Sequence, residues 1–492
     1  MDLFTTIMLP SLFIILLIIM KWQYSKPTNK NSPPSPPKLP ILGNLHQVGL
    51  FPHLSLKSLA EKHGPLMLLH FGNVPVLVVS SANMAEEVMK THDLVFSNRP
   101  PRKMSDILLY DSKDIATSPY GEYWRQIRSL AVLHLLSNKR VQSYGLIREE
   151  EAARMVETIK EFASSSSMPL NLSDIFFGVT NDILCRSALG RRYRGGGEGC
   201  KFQELVLEFG DLLGTTSIGD YIPWLSWLNK VDGSYRRASR VAKRLDEFLD
   251  QVIAEHVSSG KRKEQEGLTD SVTSNAVGFE FDTITMKAIL VDMFTAGTDP
   301  TYTVLEWAMA ELLKRPAVMH KLQDEVRTVV GNRSNITEQD LVHMNYLKAV
   351  IKETLRLHPS LPVLVPREST KGIKLNGYDI EAGTQVLVNA WAVATDPKCW
   401  DQPLEFKPER FLNSSVDFKG RDFQFIPFGA GRRGCPGMQF ATALDEIVLA
   451  NLVYHFDWDL PAGSKELDLS KFYGLVLHLK STLLAIPTPY YE

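Results

Sequence analysis

The sequence predicts a mainly α fold with small β-sheets, built as one large domain. Helical periodicity, with apolar residues three and four apart, dominates from about Gly121 to Leu361. Short apolar, partly β-branched runs flank it: Leu66 to Phe71 and Val74 to Ser80 before, Ile373 to Val388 after. Breaks at Ser164 to Ser167, Gly195 to Gly197 and Ser258 to Gly267 are too short to separate independent domains. No repeat at a period of about 20 to 50 residues points to a solenoid or propeller.

Composition narrows the function classes. With 44% hydrophobic and 22% charged residues the chain is globular in kind. Its 54 Lys and Arg balance 56 Asp and Glu, so no basic excess exists to neutralise phosphates, and nucleic acid is not an expected partner. Four cysteines, Cys185, Cys200, Cys399 and Cys435, are too few for a disulfide framework and none forms a CxxC pair. A reducing compartment follows.

From the N-terminus, Leu3 to Met20 carries no charge and is long enough, as a helix, to cross the hydrocarbon core of a bilayer. Asp2 precedes it where a cleaved signal peptide would be basic, and no small-residue cleavage pattern comes before Lys21. Residues 1–22 therefore read as a retained, single-pass membrane anchor. Lys21, Lys26 and Lys30 follow it, which leaves the remainder facing the cytosol. Residues 23–42, with Pro33, Pro34, Pro36, Pro37 and Pro40, form a semi-rigid hinge, and residues 43–492 form the body. Sequons at Asn171, Asn332, Asn335 and Asn413 are chance matches in a cytosolic body.

Within the body, Gly72 and Asn73 part the first two apolar runs as a hairpin turn would. The segment Ser217 to Leu228, rich in aromatics, suits either core packing or a membrane interface. Asp282 is placed to cap a long helix that Arg315-Pro316 closes. Inside that helix, Ala296-Gly297-Thr298-Asp299-Pro300-Thr301 puts an acid, a glycine and a proline into an otherwise apolar run. Three helix-unfriendly features together mark a site.

Around Cys435 the chain reads Phe428-Gly-Ala-Gly431-Arg-Arg433-Gly434-Cys435-Pro-Gly437, followed by a helical pattern to Val453. Glycines let backbone amides turn toward one sulfur, and arginine charge with the following helix N-terminus favours the thiolate. A thiolate held in this way is a ligand for haem iron.

The spacing Phe428, Gly431, Arg433, Cys435, Gly437 resembles the haem loop of the cytochrome P-450 superfamily. The resemblance extends to the anchor, the hinge, Trp124 with Arg128, Glu353 with Arg356, and Pro408 to Phe411, in the manner of plant microsomal members of the 71-type clan. It implies the cytochrome P-450 fold, haem b on Cys435, O2 as oxidant, and electrons from NADPH through NADPH-cytochrome P-450 reductase, at the endoplasmic reticulum membrane. By the same resemblance Trp124, Arg128, Arg367 and Arg433 hold the haem propionates, Glu353, Arg356 and Arg410 form a network behind the haem, and Ala296 and Gly297 leave room for dioxygen. Asp299 relays protons, and Arg432, Lys139 and Arg140 belong to a basic face for the reductase. Substrate contacts come from segments near Ile107 to Ile115, Phe209 to Leu213, Asp292 to Ala296, Pro362 to Val365 and Leu475 to Leu477. These are mostly apolar, which implies a hydrophobic plant terpenoid, alkaloid or phenolic.

One departure changes the chemistry. Family members usually place Thr after the acid of the long helix, and here the position is Pro300. Proline has no hydroxyl and deletes the helical hydrogen bond to the carbonyl of Ala296, at a cost of about 3 kcal/mol where nothing compensates. Thr301 is turned by about 100° from position 300 and does not replace it without local rewinding. Either Asp299, Thr298, water or a substrate hydroxyl completes the relay and hydroxylation proceeds, or the enzyme oxidises without inserting oxygen, by coupling, desaturation or ring closure. Other readings are a rearranging or dehydrating haem-thiolate protein that needs no external electrons, and a membrane-tethered haem- or lipid-binding protein without turnover.

Overall fold

The computed structural model describes residues 11, 13–14, 31–166, 168–192, 197–215, 217–258, 282–461 and 467–490. Most of the expected anchor and most of the polar loop at Ser258 to Gly267 lie outside these residues. Among the described residues no helix is long and apolar enough to cross a membrane.

Seven helices position the site: α1 (Glu122–Ala131), α2 (Leu172–Leu189), α3 (Gly197–Gly214), α4 (Ser234–Ser258), α5 (Thr283–Lys314), α6 (Asn345–Leu357) and α7 (Met438–His455). The long central α5 forms because its residues are apolar almost all round, so it is stable only inside the core. Asp282 caps it, its carboxylate accepting the Thr285 amide at 2.8 Å. The helix continues through Pro300 without a break. Helix α2 is apolar on most sides as well, packs along α5, and ends on Gly190 in the left-handed conformation that suits glycine.

The main sheet draws on both ends of the body. Strands β1 (Leu66–Phe71) and β2 (Val74–Val79) pair antiparallel across the Gly72-Asn73 turn. Strand β3 (Arg367–Glu368) pairs with β4 (Gln385–Val388), which lies parallel to β2, giving the order β1-β2-β4-β3. The second apolar region is thus divided: Ile373–Leu375 and Tyr378–Ile380 make a separate hairpin, and Gln385–Val388 joins the first sheet. Near the C-terminus β5 (Lys471–Tyr473) and β6 (Leu477–Leu479) form a hairpin whose second strand reaches α5. The aromatic segment divides too, with Ile222 buried and Trp224 and Trp227 60% and 55% exposed.

Candidate active site

The Cys435 loop is shaped by close approach. Gly431 has φ +69, and a Cβ there would collide with the Met89 carbonyl and meet Asp93 Oδ1 at 2.8 Å. The Cys435 amide donates to the Phe428 carbonyl at 2.9 Å, and the amides of Gly437 and Met438 point at the sulfur. Burial pushes the Cys435 thiol up more than those amides and Arg128 pull it down. The loop therefore orients the sulfur, and an iron ion is what would remove its proton.

Beside the loop lies a cluster of guanidinium groups. Arg367, Arg433 and Arg99 are buried and Arg128 is half-buried. Arg433 donates to the carbonyls of Ser97 at 2.7 Å, Ile115 at 3.2 Å and Ser118 at 2.6 Å, and its guanidinium lies 4.2 Å from the Trp124 ring. Trp124 gives its indole N–H to Ile115 at 3.0 Å, and Arg128 donates to the Gly434 carbonyl at 2.6 Å. Arg367 pairs with Asp93 at 3.2 Å and donates to Ala430 at 2.8 Å. Arg99, which sequence reasoning missed, spans Ala116, Val365 and Pro366.

Burial, with Arg367 and Arg128 nearby, pushes Arg433 down to about 9. Arg99 is held well below its ordinary value by burial and by Arg433, Arg367 and Arg128. Mutual repulsion of this kind means the cluster carries more positive charge than Asp93 and Asp114 return. Two propionates are the complement it lacks, so the residues present fit a haem.

Arg432, expected on a basic docking face, pairs with Asp93 at 2.9 Å and braces the loop although half exposed. Behind the loop Glu353 receives Arg356 at 2.7 and 2.8 Å and Arg410 at 3.0 Å, with both Glu353 and Arg356 fully buried. Arg356 also donates to the carbonyls of Ala394, Pro403 and Glu405.

On α5, Ala296 is exposed between buried Phe294 and Thr298, whereas the hydroxyl of Thr298 has no hydrogen-bond partner. Thr301 is buried. At Gly297 a Cβ would stand 2.6 Å from Leu184 Cδ1, so the absence of a side chain lets α2 pack close against α5. Asp299 Oδ1 lies 3.3 Å from His478 Nε2 on β6, a residue that carried no signal in the sequence. Nearer the start of α5, Asp292 accepts the Ile115 amide at 2.6 Å beside Asp114, and burial and this proximity push Asp292 well above the usual carboxylate range. Of the expected substrate segments, Phe209 and Leu212 are core, while Gly210 and Leu475 line a cavity of about 570 Å³ with Asp299, Tyr302 and His478.

Comparison with known proteins agrees with this geometry. The family model for cytochrome P-450 matches residues 33–486. Cytochrome P-450 736A117 of Prunus mume is 54% identical, over 98% of this chain and 95% of its own. Norfluorocurarine oxidase of a Strychnos species is 49% identical, over 95% and 96%. A zebra fish cytochrome P-450 solved with abiraterone superposes with a TM-score of 0.77 at 26% identity, covering 90% of this chain and all of that one. The chain belongs to the cytochrome P-450 family, as a plant haem-thiolate oxidoreductase that uses O2 and reductase-supplied electrons from NADPH.

Proposed function

We propose that the protein hydroxylates a hydrophobic plant specialised metabolite of terpenoid, alkaloid or phenolic type. Cys435, presented by a loop that fixes the sulfur with backbone amides, carries this reading. Bound haem would supply oxygen activation. Arg128, Arg367 and Arg433, with Trp124 as the flat surface between two of them, would hold its propionates. Phe428, Gly437 and the loop glycines would keep the sulfur in place, with Cys435 as the metal ligand. Ala296 would face the oxygen side, and Asp299, with Thr298 and Thr301 near it on α5, would move protons.

Residues 1–22 would anchor the chain in the endoplasmic reticulum membrane with the body in the cytosol, and NADPH-cytochrome P-450 reductase would be the electron donor. Exposed Ile218, Trp224, Trp227 and Val231 on the segment before α4 support membrane contact. Pro300 favours a second reading, oxidation without oxygen insertion.

The test is the reduced carbon-monoxide difference spectrum of the full chain and of Cys435→Ala. The thiolate-type band should be present in the first and absent in the second. Well-folded protein without a haem signal would refute the reading. Product analysis under labelled dioxygen then separates hydroxylation from coupling, since stoichiometric label in the product excludes the second for that substrate.

A further inference from the structure

We propose that His478 loads Asp299 with protons from solvent, so that this pair takes the place of a hydroxyl at position 300 as the proton entry to the oxygen side of the site. The inference rests on the monooxygenase reading above.

His478 stands on β6 with its ring across α5. Nε2 is 3.3 Å from Asp299 Oδ1, an ion-pair distance without hydrogen-bond alignment, and Nδ1 is 3.0 Å from Thr303 Oγ1 and 3.2 Å from the Tyr302 hydroxyl. Thr303 spends its single hydrogen on the Asp299 carbonyl, at 2.8 Å. Toward His478 its oxygen can therefore only accept, and Nδ1 carries a hydrogen. A neutral imidazole with its hydrogen on Nδ1 would turn the Nε2 lone pair on an ionised carboxylate. The repulsion disappears when one proton sits between Nε2 and Oδ1. The contacts thus favour a pair that holds one shared proton between Nε2 and Oδ1.

The pair has a route to solvent. Both residues line the cavity of about 570 Å³, whose walls also carry Glu204, Glu208 and Asp211 from α3 and Arg237 from α4. Arg237 pairs with Glu208 at 2.6 Å and Asp211 at 3.3 Å. The charged and titratable groups facing the imidazole are therefore Asp299, Tyr302 and Glu306 of α5, with the cavity carboxylates beyond. From its own hairpin, Lys471 stands opposite Leu479 and lies over Trp307, 5.5 Å from the ring centre. Burial opposes the imidazolium, Asp299 and Glu306 favour it more strongly, and the net effect raises His478 above its ordinary 6.5.

In the step itself a small turn of the ring aligns Nε2–H with Oδ1, the Nε2–H bond breaks, an Oδ1–H bond forms, and the electron pair stays on Nε2. A hydronium ion from the cavity then returns a proton to Nε2. Asp299 lies about one turn along α5 from exposed Ala296, so the carboxyl joins the cavity to the oxygen side.

Two measurements on the full-length protein test this. The first is nuclear magnetic resonance of histidine-labelled enzyme, in which the His478 signal, one of 12 histidines, is assigned by its loss in His478→Gln. Its midpoint should lie above 6.5 and should fall in Asp299→Asn, where Glu306 alone is left to oppose burial. A midpoint below 6.5 in the wild type, or one that Asp299→Asn leaves in place, overturns the proposal.

The second uses His478→Arg, which still pairs with Asp299 but does not release a proton near neutral pH. With reductase, NADPH and dioxygen and no added substrate, two electrons and two protons yield peroxide, whereas four of each yield water. Peroxide per NADPH should rise with pH through the His478 midpoint in the wild type, and be high and pH-independent in His478→Arg. A wild-type yield and pH profile in His478→Arg overturns the relay. Absence of the thiolate-type band would instead strike the monooxygenase reading, and the resonance titration would still judge the pair.

Discussion

Gly297 of α5 faces Leu184 of α2 so closely that a Cβ on the glycine would stand 2.6 Å from Leu184 Cδ1. Leu184 is itself buried, at 1% exposure, and has little room to withdraw. Gly297→Ala should destabilise the fold by about 1 to 3 kcal/mol through overpacking. Leu184→Ala alone should cost about 2 to 5 kcal/mol through its cavity. Because each change relieves the other, a double-mutant cycle by denaturant unfolding should give the pair a smaller loss than the sum. Simple additivity would mean that the two helices separate freely.

Glu353 takes two guanidinium groups and the Lys407 amide while fully buried. Removing it leaves Arg356 charged, buried and short of a partner, a change of the kind that costs about 3 to 5 kcal/mol. Glu353→Ala should fold poorly and retain little haem, as read by haem-to-protein ratio and thermal unfolding. Retention of both at wild-type levels would show that the carbonyls around Arg356 suffice.

Asp93 is the smaller residue with the larger reach. Its carboxylate binds Arg367 and Arg432, and Oδ2 also accepts the Arg432 amide at 3.0 Å. Asp93→Asn should increase the surplus positive charge of the cluster and loosen the Cys435 loop. Apoprotein stability should fall by about 3 kcal/mol, toward the lower end of the buried-pair range, measured by urea unfolding before haem is supplied.

Acid should weaken the fold in a defined window. Burial pushes His53, His70, His358 and His455 each down to about 4. For His358 the burial outweighs Glu311, whose carboxylate lies 2.6 Å away. With folded values below the unfolded 6.5, the unfolded chain binds more protons, so stability is full above about 6.5 and is lost as pH falls toward 4. Melting temperature should already decline between about pH 6.5 and 5, where ordinary carboxylates contribute little. A flat profile across that interval would refute the assignment.

Pro300 offers a stability test as well as a chemical one. Its ring removes the donor to the Ala296 carbonyl, while its own carbonyl accepts the Ser360 hydroxyl at 2.9 Å. Pro300→Thr should restore the helical bond and gain up to about 3 kcal/mol if nothing compensates for its loss. No change in melting temperature would show that the helix has already absorbed the defect.

The parts of this protein that were legible in the sequence are those where one pattern states both place and purpose. Asp282 announced the start of α5, Gly72-Asn73 the first hairpin, and the spacing around Cys435 the haem loop. Residues whose meaning depends on a distant partner were silent. His478 is one polar residue in an apolar strand, Asp93 one acid after a short helix, and Arg99 one cation before two prolines. Each acquires its role from segments at least a hundred residues away, except where Arg99 reaches Ala116. Gly297 was visible, but its approach to Leu184 was not, because a missing side chain does not say which neighbours need the space.

The parallel pairing of β2 with β4 sets an order of events during synthesis. Val76 to Val79 meet Gln385 to Val388, so about three hundred residues must leave the ribosome before the first sheet gains its third strand. Closing a loop of that length is slow, and contacts of such separation reward the chain only at the end. The hairpin of β1 and β2 has to wait with an unpaired edge through most of translation, exposed to neighbouring nascent chains. Yield in a foreign host is therefore expected to depend on chaperone supply and slow expression more than on the stability of the finished enzyme.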